Sequence, residues 1–92
     1  MTQPTPALSS IAARELLLGL ADRIDQRRTY AAMTEALCLA QALVVAERLY
    51  GPTEAAEAAE QELLTLLPPI RQGTARGEYA ALLRLLAQGV TA

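Results

Sequence analysis

Ten of the eleven residues from Ala36 to Ala46 are apolar, and Gln41 is the exception. A helix on the surface of a small globule needs one apolar stripe, whereas this run is apolar almost all round. It must be covered on several sides, by the rest of the chain, by a second copy or by another protein. That demand is architectural. No motif of comparable strength points to chemistry.

The material available to cover it is leucine and alanine. Apolar residues make up 52% of the 92-residue chain but aromatics only 3%, all of them tyrosines: Tyr30, Tyr50 and Tyr79. Ala and Leu rank high in helix propensity, while the β-branched aliphatics that favour strands are few: Ile11, Ile24, Ile70, Val44, Val45 and Val90. The length suits one domain. A core without Phe or Trp must be built from closely approaching helices and is thin for a monomer, so association is expected.

Four helices can be read along the chain. Residues 1–7, with Pro4 and Pro6, form a lead-in, and residues 8–92 a single all-helical domain. The first helix begins after Ser9 or Ser10, either of which can cap it. Leu17, Leu20, Ala21 and Ile24 carry the spacing of one buried face, with charged residues at the other positions. Gly19 within this pattern costs about 1 kcal/mol relative to Ala unless a neighbouring helix needs the close approach. The second helix is expected from about Tyr30 to Tyr50. Met33, Leu37, Ala40 and Val44 define one of its faces, and Ala36, Leu39, Leu43, Ala46 and Tyr50 another. Gly51-Pro52 breaks the chain, with Pro52 expected in the first turn of the third helix. That helix carries Ala56, Ala59, Leu63, Leu66 and Leu67, has four glutamates and no basic residue, and stops at Pro68-Pro69. The fourth begins between Ala75 and Glu78, buries Tyr79, Leu82, Leu83 and Leu86, and ends near Gly89. Short links imply antiparallel neighbours. The fold class is therefore all-α, with about four antiparallel helices packed as helical hairpins, either in a small bundle or in an array.

Several functions are disfavoured. The net charge of -2, with arginine as the only basic residue type, argues against nucleic-acid binding, which depends on neutralising phosphates. Arg27-Arg28 reads as compensation of a helix C-terminus. The single cysteine, Cys38, excludes an intrachain disulfide, fits a reducing compartment and reads as a small buried hydrophobe. Neither a secretory signal nor a membrane-spanning stretch is apparent, so the expected location is the cytoplasm. Histidine is absent, which removes the commonest general base and metal ligand. Asp22 with Asp25, and Glu57 with Glu60, stand three apart and read as solvated faces, since two carboxylates make a weak metal site. No catalytic residue, cofactor or metal site is expected.

Binding of a protein remains. The apolar surplus of the second and fourth helices nominates Leu39, Gln41, Leu43, Tyr79, Leu82, Leu85 and Leu86 as partner-binding residues, the partner being another protein or a second copy. Gln41 either marks the exposed edge of its helix or fixes register through a buried hydrogen bond. The fourth helix, joined through Pro68-Pro69 and a glycine-containing turn, is expected to carry much of the recognition. Truncation after Gly73 would then leave a largely helical product that binds nothing. The self-associating alternative is a structural bundle or a minor subunit of a larger assembly, and the third reading, the least favoured, is a small carboxylate-dependent enzyme.

The stretch from Leu37 to Pro68 resembles one tetratricopeptide unit, the 34-residue helix–turn–helix repeat. Leu43 falls where the family prefers leucine, Gly51 opens the turn, Glu54-Ala55-Ala56 resembles the start of the second helix, and Leu64-Thr65-Leu66-Leu67-Pro68 its close. Gly77-Glu78-Tyr79, followed by Leu82 and Leu83, echoes a second-helix start. Glu47 and Glu60 depart from the family's large or aromatic residues, which leaves a true repeat and a degenerate hairpin both open. Glu35-Ala36-Leu37-Cys38-Leu39-Ala40 and Arg76-Gly77-Glu78-Tyr79-Ala80 are similar to segments of the chaperones of type III secretion needle subunits. The resemblance implies a non-catalytic concave surface that cradles a helical partner.

Overall fold

The computed structural model describes residues 9–26 and 28–90. The expected lead-in and Arg27 lie outside the described residues. Four helices follow in order: α1 (Ser10–Asp25), α2 (Glu35–Tyr50), α3 (Glu54–Leu66) and α4 (Arg76–Gly89). The protein is all-α. Among the described residues the one strand-like pairing is an isolated bridge between Ala32 and Ala75.

The helix ends follow from local chemistry. Ser9 caps α1 by accepting Ala12 N–H at 3.1 Å, Thr34 caps α2 through Leu37 N–H at 3.1 Å, and Thr53 caps α3 through Ala56 N–H at 3.4 Å. Each satisfies an N–H that has no partner within its own helix. Gly51 closes α2 with a positive φ of 74°, a conformation suited to glycine, and donates to Glu47 O at 2.7 Å. Pro52 precedes the Thr53 cap, so it lies one step outside the first turn where the sequence suggested it. Leu67, ahead of Pro68, is extended and ends α3. At α4, Glu78 reaches back to accept Ala75 N–H at 3.0 Å.

Helix α1 is the centre of the packing. It contacts α4 most extensively, then α2, and touches α3, while α2 pairs with α3; the backbone of α4 stays apart from those of α2 and α3. Leu17, Leu20, Ala21 and Ile24 are buried as their spacing requires. The core they build with Leu63, Tyr79 and Leu83 is rich in alanine, with Ala42, Ala46, Ala56, Ala59, Ala80 and Ala87 all buried. Small side chains at these positions let the helix axes approach, which is how an alanine–leucine chain without Phe or Trp fills its interior.

Three expectations are corrected. Helix α2 starts at Glu35, not near Tyr30, because the residues before it are engaged elsewhere. Met33 N–H donates to Thr74 O at 2.9 Å, Arg76 N–H to Ala31 O at 2.8 Å and Gly77 N–H to Thr29 O at 2.9 Å, clasping the α1–α2 and α3–α4 connections together. The buried face of α2 is Cys38, Ala42, Val45 and Ala46, of which only Ala46 stood in either expected face. The buried face of α4 also differs from the expected one. The helix buries Tyr79, Ala80, Leu83 and Ala87, leaving Leu82 and Leu86 outside.

Gly19 meets its neighbour without crowding: a Cβ there would stand 3.6 Å from Val45 Cγ1, ordinary contact, so packing does not demand glycine. Gly77 is different. A Cβ there would overlap Thr29 Cγ2 and press on Thr29 O at 3.3 Å, at the point where the clasp brings backbone to backbone. Gly77→Ala is expected to lower stability by about 1 kcal/mol despite alanine's better helix propensity, because the overlap outweighs it. Thr29→Ala in the same chain should recover most of the loss. Urea midpoints of the two single variants and the double variant give the coupling; simple additivity would contradict this account of the contact.

Candidate partner-binding surfaces

The seven residues nominated from sequence do not form one surface. Leu39 and Leu43 lie on α2, 52% and 37% exposed. Leu82, Leu85 and Leu86 lie exposed on α4, with Leu85 the most open at 63%. The backbones of α2 and α4 stay apart, and these leucines form two separate patches. Gln41 is half-buried, and its Oε1 accepts a hydrogen bond from Arg23 Nε, tying α2 to α1 within the chain. Tyr79 is 1% exposed, and its hydroxyl donates to Pro68 O at 2.7 Å. It anchors the α3–α4 connection to the core and lies at the floor of a recess that Leu39, Leu67 and Ile70 also line. Its small phenol–carbonyl bond satisfies the polar tip that burial would otherwise strand.

Two grooves accompany the α2 patch. Between α1 and α2 a recess of about 410 Å³ has Leu16, Gly19, Val45 and Leu49 along its walls and Arg23 and Arg48 at its rim. The missing side chain of Gly19 deepens it. Along the seam between α2 and α3, Leu43 stands beside Glu54, Glu57 and Glu60 in a depression of about 570 Å³. Further along the same seam, Leu39 joins Leu64, Leu67, Pro69 and Ile70 around a recess of about 220 Å³. The pairing of Leu43 with the start of α3 and of Leu39 with its end shows that the two helices run antiparallel.

Chemistry in these recesses is sparse. Cys38 lines the second seam recess, and its thiol is pushed above the ordinary value first by burial, with a hydrogen bond to Tyr79 working the other way and the charge of Glu35 adding to the rise. A protonated, enclosed thiol is a poor nucleophile. Burial also raises the Tyr79 phenol, with Cys38 contributing. Asp22 and Asp25 together grip Arg84 on α4, at 3.0 Å to Asp22 Oδ1 and 3.2 Å to Asp25 Oδ2. Those hydrogen bonds, Asp22's first, hold the guanidinium above its usual pKa. The carboxylate pair thus serves the α1–α4 contact. Among the described residues no group of three or more His, Cys, Asp or Glu side chains converges as a metal site would.

Sequence reasoning missed the apolar end of the seam. Pro68-Pro69 read there as a helix stop, yet Pro69 and Ile70 also wall a recess. The available signal was that Leu64, Leu66 and Leu67 exceed what one buried stripe of a short helix holds. Comparison with known proteins finds no matching family model, no matching curated protein and no matching solved structure. Among the described residues no helix is long and apolar enough to cross a membrane.

Proposed function

We propose that this chain is a non-enzymatic protein-binding domain, an adaptor or small chaperone that shields an amphipathic helical segment of a partner protein. The observation that carries the reading is the outer side of α2. Ala36, Leu39, Ala40 and Leu43 stay exposed on a helix whose opposite side already supplies the core. Laying an apolar helix face against such a surface is a common recognition mode. The tetratricopeptide-like stretch, and the similarity of residues 35–40 and 76–80 to segments of needle-subunit chaperones, agree with it by analogy, and a cytoplasmic component of type III secretion is the form the proposal takes on that analogy. The lone thiol suits the same compartment.

A second reading, a self-associating bundle, is favoured by the leucines that α4 leaves exposed: Leu82, Leu85 and Leu86. Affinity capture from the native host, run beside light scattering of the purified chain, tests both. The binding reading expects a defined protein enriched in stoichiometric amount, and the bundle expects a mass that is a multiple of 9.8 kDa. A clean monomer that enriches nothing contradicts both.

A further inference from the structure

We infer that the α2–α3 seam is the docking groove and that its occupant is a short amphipathic helix of another protein, apolar at one end and basic at the other. The inference rests on the protein-binding reading above and adds the site and the chemistry of the partner. The two seam recesses are parts of one track, because Leu39 in the one and Leu43 in the other stand one turn apart on the same side of α2. The track follows α3, whose 13 residues span roughly 20 Å, a length matched by about 13 helical residues of an occupant.

The two ends differ in character. Leu64, Leu67, Pro69 and Ile70 make one end apolar. Glu54, Glu57 and Glu60 make the other acidic, around the apolar side chains of Leu43 and Ala58. Glu54 and Glu57 sit in the first turn of α3, where they also complement the helix dipole. Glu60 lies beyond that turn and has no such role. None of the three forms an ion pair among the described residues, and α3 carries no basic residue to offset them. Negative charge beside exposed leucine selects a partner with lysine or arginine next to its apolar face.

A second copy of this chain fits less well. The arginines of α1 and α2 are matched or outnumbered by carboxylates on the same helices. Helix α4 carries two arginines, Arg76 and Arg84, against Glu78, and Arg84 is already held by Asp22 and Asp25.

Fluorescence anisotropy on the full chain with two synthetic helical peptides of roughly 14 residues tests the inference. Both carry leucines along one side; one has lysines at its flanking positions near one end and the other has glutamates there. The lysine peptide should bind about tenfold more tightly at low ionic strength, and the difference should shrink as salt screens the exposed charges. Replacing all three acids (Glu54→Gln, Glu57→Gln, Glu60→Gln) should abolish the preference, and Leu43→Ser should weaken both peptides. Circular dichroism confirms that each variant is folded. Equal binding of the two peptides, no binding of either, or a preference that survives the triple variant would overturn the groove assignment. Loss of binding on Leu82→Ser with Leu85→Ser, and not on Leu43→Ser, would also overturn it while leaving the protein-binding reading intact. Failure of that reading shows separately, in the capture experiment.

Discussion

A chain truncated after Gly73 is expected to lose cooperative unfolding altogether, instead of surviving as three helices. Tyr79, Ala80, Leu83 and Ala87 are at most 1% exposed, and they are the side chains that α4 sets into the core around α1. Their removal also exposes whatever part of the buried side of α1 the helix covers. Fully burying a large aliphatic or aromatic side chain contributes about 1.5–3 kcal/mol. Losing several such burials at once is comparable to the whole stability of a domain this size, about 5–14 kcal/mol at typical values per residue. The backbone clasp goes too, since Thr74, Arg76 and Gly77 supply one side of it. Urea titration followed by circular dichroism measures the effect. A sigmoidal transition near the full-length midpoint would show that α4 is a detachable arm.

Leu20→Ala should be the most damaging of the conservative point changes on α1. Leu20 is 0% exposed on the helix that every other helix contacts. Deleting a buried leucine side chain to alanine costs 2–5 kcal/mol, through lost transfer energy and the cavity left behind. In a domain of this size that corresponds to a fall in Tm of at least about 10 °C. Calorimetry checks it. A change below about 1 kcal/mol would mean that α1 is not the central helix.

How much of this was legible in the sequence depended on polar residues to phase each helix. In α1 the charges at Arg14, Glu15, Asp22 and Arg23 mark the outer side, and the buried stripe Leu17, Leu20, Ala21 and Ile24 follows from them. In α2 the run from Ala36 to Ala46 holds one polar residue, so several stripes fit equally and the true one, centred on Cys38, Ala42 and Val45, had no marker. In α4 the reading by size favoured Leu82 and Leu86. The fold instead buries Ala80 and Ala87, because close approach to α1 needs small side chains there. The start of α2 was hidden for another reason. The clasp between residues 29–33 and 74–77 joins segments far apart in sequence, and no local signal announces such a pairing. At the candidate site, Leu39 and Leu43 were visible as surplus apolar residues, whereas the burial of Tyr79 was not, because a tyrosine suits an interface and a capped core position equally well.

The central claim is that the outer side of α2 exists for binding and contributes little to the fold. Leu39→Asp tests it most directly, measured at once for urea midpoint and for association with whatever the wild-type chain captures. Leu39 is half exposed at 52%, so the account predicts a stability change of about 1 kcal/mol or less together with loss of association. Unfolding of the variant, or a folded variant that associates as well as the wild type, would contradict it.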